Sequence, residues 1–356
     1  MKKRDCYIPV YLALFLLIGI LPSKAQDIHY SQFWNAPLEL NPALAGITSA
    51  DMRFFGAYKN QWASVPVDYT TFSAAFDKKW EKFNNTNEQF GFGFLFHQDQ
   101  AGDSQWSLLN LSGMLSYTRR MARGVYASVG GQIGVGQRSF ELQQLTFDNQ
   151  YNGNFFDPRE TTGETFTNTK KIFFDSHVGL NIRLQKDQLK PKQRITDFDE
   201  RVDTRTKLDI GIGMHHLNTP SESFYDDSDV YIPIRYDIYA LGVLKITEKF
   251  DILGNGLFRS QAQFKELLLG TALRIHLNSK RAKELSLDLG IHLRIGDAAI
   301  PYIGIAYRNQ WQAGLVYDIN TSPFKTATNN NGGPEFTLVY LFTNPKTPLR
   351  KLCPLF

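Results

Sequence analysis

The sequence predicts an all-β fold: a transmembrane outer-membrane β-barrel of about 14 antiparallel strands, following a cleaved signal peptide. Three observations carry this reading. The chain opens with Lys2, Lys3 and Arg4, then an apolar run from about Tyr7 to Leu21, then Ser23-Lys24-Ala25. Basic, apolar and small-residue regions in that order form a secretory leader, with cleavage expected after Ala25. Beyond it, no stretch approaches the ~18–20 apolar residues that a membrane helix needs. The remainder is instead a succession of long segments alternating apolar and polar residues, the period of a strand with two unlike faces. A closed barrel is the one alternative to a helix that satisfies every backbone polar group in a bilayer.

Composition agrees. Removing residues 1–25 from the 356 leaves 331, ordinary for one large barrel. The leader holds four of the 39 basic residues and one of the 35 acidic ones, so the mature chain carries 35 and 34, a net charge of +1. The pI of about 8.8 is therefore largely a leader effect and supports no nucleic-acid partner. Cys6 precedes the apolar run, whereas a lipoprotein cysteine follows it, so Cys6 is not a lipidation site. Cys353 is the only cysteine left, which excludes an internal disulfide and a cysteine-based metal cluster. Aromatic residues make up 13% of the chain, yet its mean hydropathy is only −0.30. A barrel permits this because half of each strand faces a polar interior.

The elements follow in order. Residues 26–50 have no strand period; Asn41-Pro42 and Gly46 mark turns. Two placements fit this stretch, a lead-in at the periplasmic mouth or a plug in the lumen. The barrel spans 51–343. Its candidate strands lie near 51–58, 69–80, 89–98, 107–120, 124–138, 172–185, 206–217, 235–246, 249–260, 264–277, 284–296, 299–309, 311–320 and 334–343, an even number, as bacterial single-chain barrels require. The clearest is 285–296, where Leu285, Leu287, Leu289, Ile291, Leu293 and Ile295 alternate with Ser286, Asp288, Gly290, His292, Arg294 and Gly296. Segments 125–136, 174–185 and 207–217 repeat the pattern. Inward glycines such as Gly130, Gly211, Gly290 and Gly304 leave room for large neighbours or an inserted segment. Tyr69, Trp80, Trp106, Tyr117, Trp311 and Tyr340 sit near strand ends, as interfacial girdles do. With both termini periplasmic, the long connections 139–171, 218–234 and 321–333 all fall outside, although 186–205 is long on the other side and 297–298 is short on the outer one. Residues 344–356 form a tail.

Chemistry-bearing motifs are few. His215 and His216 are adjacent on a strand and should point to opposite faces, so no shared metal is expected. Asp288, His292 and Arg294 share the inward face and should form a polar lumen network. The run Asp226-Asp227-Ser228-Asp229 lacks the spaced ligands of a calcium loop and reads as a solvated outer loop. Neither a G-x-S-x-G nor a Walker sequence occurs, and no Ser-His-acid set is credible by spacing. The expectation is a non-enzyme without cofactor.

A resemblance extends over nearly the whole mature chain. Its carriers are Tyr30-Ser31-Gln32-Phe33, Leu40-Asn41-Pro42-Ala43 and Ala45-Gly46, then Tyr58-Lys59-Asn60-Gln61-Trp62 and Tyr69-Thr70-Thr71-Phe72-Ser73. His216-Leu217 with Pro220, Tyr317-Asp318-Ile319-Asn320, Gly333-Pro334-Glu335-Phe336 and the tail Cys353-Pro354-Leu355-Phe356 follow in order. In these segments the chain resembles the PorP/SprF family, outer-membrane proteins associated with the type IX secretion system of Bacteroidetes. Lys59, where many members carry Arg, and Leu355, where a basic residue is common, depart from the pattern. Leu355 weakens any role of the tail as a charged recognition element. The resemblance implies an accessory barrel in the cell outer membrane that supports secretion or surface attachment of cargo such as gliding adhesins. It further implies contact with a cargo or adhesin C-terminal domain, with a periplasmic OmpA-like or lipoprotein component, and with outer-membrane lipid. It supplies no catalytic residues. Partner binding is expected at Phe33, Asn41, Pro42, Gly46, Asn60, Gln61 and Trp62. The competing expectation is a porin-like diffusion channel lined by Arg183, Arg274, Arg294 and Asp288.

Overall fold

A computed structural model gives the fold and describes residues 27–61, 69–82, 85–102, 104–142, 145–151, 153–164, 168–185, 205–224, 230–280, 282–323 and 325–343. The leader, Trp62, the acidic run 226–229, most of the 186–205 link and the tail with Cys353 lie outside the described residues.

Fourteen strands form one closed antiparallel barrel. They are β1 Met52–Gln61, β2 Tyr69–Lys82, β3 Asn85–Ala101, β4 Trp106–Ala122, β5 Val125–Ser139, β6 Lys170–Gln185 and β7 Lys207–His215. The second half comprises β8 Arg235–Lys245, β9 Phe250–Gln261, β10 Phe264–Asn278, β11 Leu285–Arg294, β12 Ala298–Tyr307, β13 Trp311–Asn320 and β14 Asn331–Phe342. Each strand pairs with its sequence neighbours, and β1 closes on β14 from Met52↔Phe342 to Lys59↔Glu335. Every segment read from the alternation is a strand. The ends differ where apolar period fades but the ladder continues, so β3 starts at Asn85 rather than near 89 and β14 at Asn331 rather than near 334.

The two faces divide as the pattern requires. On β11, Leu289, Ile291 and Leu293 are exposed on the outer face, whereas Ser286, Asp288, His292 and Arg294 are buried inside. The interior charges are organised by register. Arg53 sits directly opposite Asp77, Arg183 opposite Asp209, Arg259 opposite Asp237 and Arg274 opposite Asp288. Each guanidinium grips its carboxylate through two bonds, for example 2.7 and 2.9 Å at Arg53 and 2.7 and 2.7 Å at Arg274. A one-residue slip would turn every such pair into two unpartnered charges on opposite faces, so these forks fix the register as firmly as the apolar face does.

The connections 140–169, 216–234 and 321–330 leave one end of the barrel, and short turns at 123–124, 246–249 and 308–310 close the other. Tyr69 and Trp106 ring the long-loop end. Trp80, Tyr117, Trp311 and Tyr340 ring the short-turn end, where Trp311 and Tyr340 lie 4.4 Å apart.

Residues 27–50 fill the lumen. The segment starts at the long-loop end, where the Asp27 amide donates to Gln261 (3.2 Å). It ends at the short-turn end, where the Asp51 amide donates to the Phe342 carbonyl (3.0 Å). It contains a helical turn at Pro37–Leu40 and a 3₁₀ turn at Pro42–Leu44, where the Ala43 amide donates to the Asn41 side chain (2.8 Å). Phe33, Leu40, Leu44 and Ile47 pack against inward Tyr239, Leu253, Leu257, Leu268, Ile300 and Val316. Of the two placements left open, the segment takes the lumen rather than the periplasmic mouth. There these apolar side chains would face water; inside the barrel they build its core.

Candidate functional site

The plug is fastened by polar groups that the wall directs inward. At its first turn, the Ser31 and Gln32 amides donate to the two oxygens of Glu335 on β14 (2.7 and 2.8 Å). The Ser31 hydroxyl donates to Asp318 on β13 (2.8 Å) and accepts from Arg294 on β11 (2.7 Å). Lys59 on β1 donates to the His29 carbonyl (3.0 Å). Tyr30 bonds Ser73 on β2, and Trp34 stacks on His292 with ring centres 4.0 Å apart. Farther along, Asn41 Nδ2 reaches the carbonyls of Leu180 (2.9 Å) and Ile212 (3.1 Å) and the Tyr239 hydroxyl (3.0 Å). Ser116 donates to the Ala45 carbonyl (2.6 Å) and the Gly46 amide donates to Asp77 (2.7 Å).

Glycines on the wall make this approach possible. A Cβ at Gly91 would lie 2.1 Å from the Ala45 carbonyl oxygen, one at Gly130 2.5 Å from the Ala43 nitrogen, and one at Gly179 1.7 Å from Asn41 Oδ1. Real Cβ atoms do not approach so closely, so only glycine admits the plug at these three positions. Gly211, Gly290 and Gly304 instead make way for Tyr239, Ala272 and Tyr302 of the wall itself.

Two of the cavities beside the plug lie at opposite ends of the lumen. One, of about 200 Å³, lies at the short-turn end and is lined by Arg53, Arg183, Lys207, Asp209 and Arg274 together with plug residues Trp34 and Thr48. The other, of about 300 Å³, lies at the long-loop end and is lined by Asp27, Glu39, His97, Arg138, Asp175, His177, His215, His216, Glu222 and Arg235, with Trp106 and Phe173. Here Glu39 of the plug pairs with His97, Arg138 with Glu222, and Asp27 with Arg235. His216 bridges Asp175 (Nδ1, 2.7 Å) and Asp27 (Nε2, 2.9 Å). Burial disfavours its charged form, but the Asp27 and Asp175 carboxylates outweigh burial and raise its pKa to about 9. Burial likewise opposes charge on Asp27, and Arg235 and His216 overcome it, holding that carboxyl well below the usual range.

Asp175, His177 and His216 present ligand atoms within 4.8 Å of one another. This overturns the expectation that His215 and His216 face apart. The strand ends at His215, and His216 takes a left-handed backbone (φ 59°), which turns its ring back into the lumen beside His177, with ring centres 5.3 Å apart.

The other expected site residues divide as follows. Phe33, Asn41, Pro42 and Gly46 are all buried in the plug, where they hold it to the wall. A partner reaches them only by unseating the segment. Asn60 and Gln61 are half-buried at the long-loop end of β1, and Trp62 lies outside the described residues. Asp288, His292 and Arg294 do share the inward face, but they do not bond one another: Asp288 takes Arg274, His292 takes Trp34, and Arg294 takes Asp318, Glu266 and Ser31. Residues two apart on a strand are spaced too widely for direct bonds, so each finds a cross-strand or plug partner instead. Lys59, Asp318 and Glu335 carried the resemblance but were not read as plug anchors, and Asp175 and His177 were not singled out. All five lie on the inward face of their strands, but no local pattern states which partners they meet.

A family model for the type IX secretion system membrane protein PorP/SprF matches residues 23–340. The chain belongs to the PorP/SprF family. This PorP/SprF protein is similar in structure to the toluene transporter TbuX of Ralstonia pickettii (10% identity, 86% of this chain and 94% of that one, TM-score 0.47). It is also similar to a FadL homologue of Pseudomonas aeruginosa (10% identity, 85% and 93%, TM-score 0.46). A third similar structure is the translocator domain of the autotransporter NalP from Neisseria meningitidis (9% identity, 88% and 96%, TM-score 0.34). No curated protein matches the sequence significantly.

Proposed function

We propose that this PorP/SprF protein is a non-catalytic accessory barrel of the type IX secretion system in the outer membrane, supporting secretion or surface attachment of specific cargo. One observation carries the reading: residues 27–50 occupy the lumen and leave a cavity of about 300 Å³ beneath the long loops. Long connections at one end of such barrels characteristically face outside. The cavity then faces the cell surface, and a segment of a cargo or adhesin C-terminal domain seats there against charged and aromatic side chains. A periplasmic OmpA-like or lipoprotein component engages the short-turn end. The same plug argues against passive diffusion, because the side chains expected to line a pore are tied to one another or to the plug. Deletion of the gene is expected to abolish display of particular surface proteins while general secretion continues; normal display of every adhesin would overturn the proposal.

A further inference from the structure

We propose that Asp175, His177 and His216 form a binding site for a divalent transition-metal ion of the zinc class, opening onto the long-loop cavity. The site is independent of the cargo reading and rests on geometry: three buried side chains, two from β6 and one from the loop after β7, bring their ligand atoms within 4.8 Å of one another. His177 Nε2 faces Asp175 Oδ2 at 3.4 Å, His177 Nδ1 accepts from the His216 amide (3.4 Å) and lies 3.1 Å from His215 Nδ1, and His215 Nε2 faces the Leu40 carbonyl at 3.3 Å.

His177 Nε2 is the ligand atom beside Asp175 Oδ2. His216 supplies Nδ1, 2.7 Å from the same carboxylate oxygen, and keeps Nε2–H for Asp27 at 2.9 Å. The His216 ring thus holds its second nitrogen on a fixed acceptor, the arrangement that orients metal-bound histidines. Donors bonded at ~2.0–2.1 Å in a tetrahedron stand about 3.3 Å apart, so these ligand atoms need shift by less than about 1 Å. Two imidazoles and one carboxylate suit zinc and its divalent neighbours. Because all three residues line the cavity, the remaining coordination position faces it, available to water or to a carboxylate of a bound chain. The ion also ties β6 to the end of β7 and, through Asp27, to the plug.

The test uses the full mature barrel in detergent, stripped with chelator and reloaded with zinc(II) or cobalt(II). One equivalent of zinc per chain is expected, with cobalt(II) absorption intensified over that of the aquo ion. His177→Ala and Asp175→Asn should lose both signals, and His215→Ala should weaken binding about 10–100-fold. His276→Ala, at the other end beside Asp251, should retain both. Wild-type barrel that stays folded by heat-modifiable gel mobility yet takes up no cobalt(II) would overturn the site. Stoichiometric binding that persists unchanged in the His177→Ala, Asp175→Asn double variant would overturn it equally.

Discussion

The two ends of the lumen use the same residue types to opposite effect. At the short-turn end, three of the arginines lining the cavity are each locked by a two-bond fork to an aspartate directly across the strand pair, Asp77, Asp209 or Asp288. At the long-loop end, Asp27, Asp175, His177, His215 and His216 converge from the plug, two strands and a loop into one shared cluster rather than separate forks. One end divides its charges into isolated pairs. The other gathers them around a cavity, and that is where recognition is proposed.

The sharpest way to break this comparison is to remove what separates the ends. Deleting residues 27–50 should convert a silent barrel into a conducting one in planar bilayers; open-channel conductance from the intact chain would show that the ends were never separated. Next in size, Asp288→Ala strands Arg274 and should cost about 3–5 kcal/mol in urea unfolding, as loss of one partner of a buried pair does. Asp175→Asn at the other end leaves His216 paired with Asp27 and should cost less, and equal losses would erase the distinction. A smaller effect is expected from Gly91→Val, whose side chain would meet the Ala45 carbonyl; overpacking of this kind costs about 1–3 kcal/mol and should lower the thermal midpoint. The smallest belongs to Glu248→Gln in the exposed turn beside Lys245 and Arg205, where stability should change by no more than about 0.5 kcal/mol.

How far the sequence disclosed this follows from which forces act along the chain and which act across it. The strands were legible because lipid imposes an apolar residue at every second position, as in Leu287 to Leu293, whatever the rest of the molecule does. The Arg–Asp forks were not, since pairing Arg183 with Asp209 requires a register that no local pattern states. The plug was half legible: Asn41-Pro42 and Gly46 announced turns, but nothing local says that Asn41 reaches Leu180 and Ile212 on the far wall. At His216 one backbone angle reversed the inference, because alternation of faces holds only while the strand lasts. Of the inward glycines read from the sequence, Gly130 gives room to the inserted segment, while Gly211, Gly290 and Gly304 give room to larger wall neighbours.

Glu335 ties the beginning of the described chain to its end. It lies on the final strand, yet it accepts the backbone amides of Ser31 and Gln32, while its cross-strand partner Lys59 on the first strand holds the His29 carbonyl. The closing seam and the plug are thus one fastening. The grip on the plug's first turn is therefore complete only when the last strand has met the first. A parting of β1 from β14 would loosen that turn and open the wall in a single event, while the contacts of Asn41 and Gly46 on the other strands hold the rest of the plug.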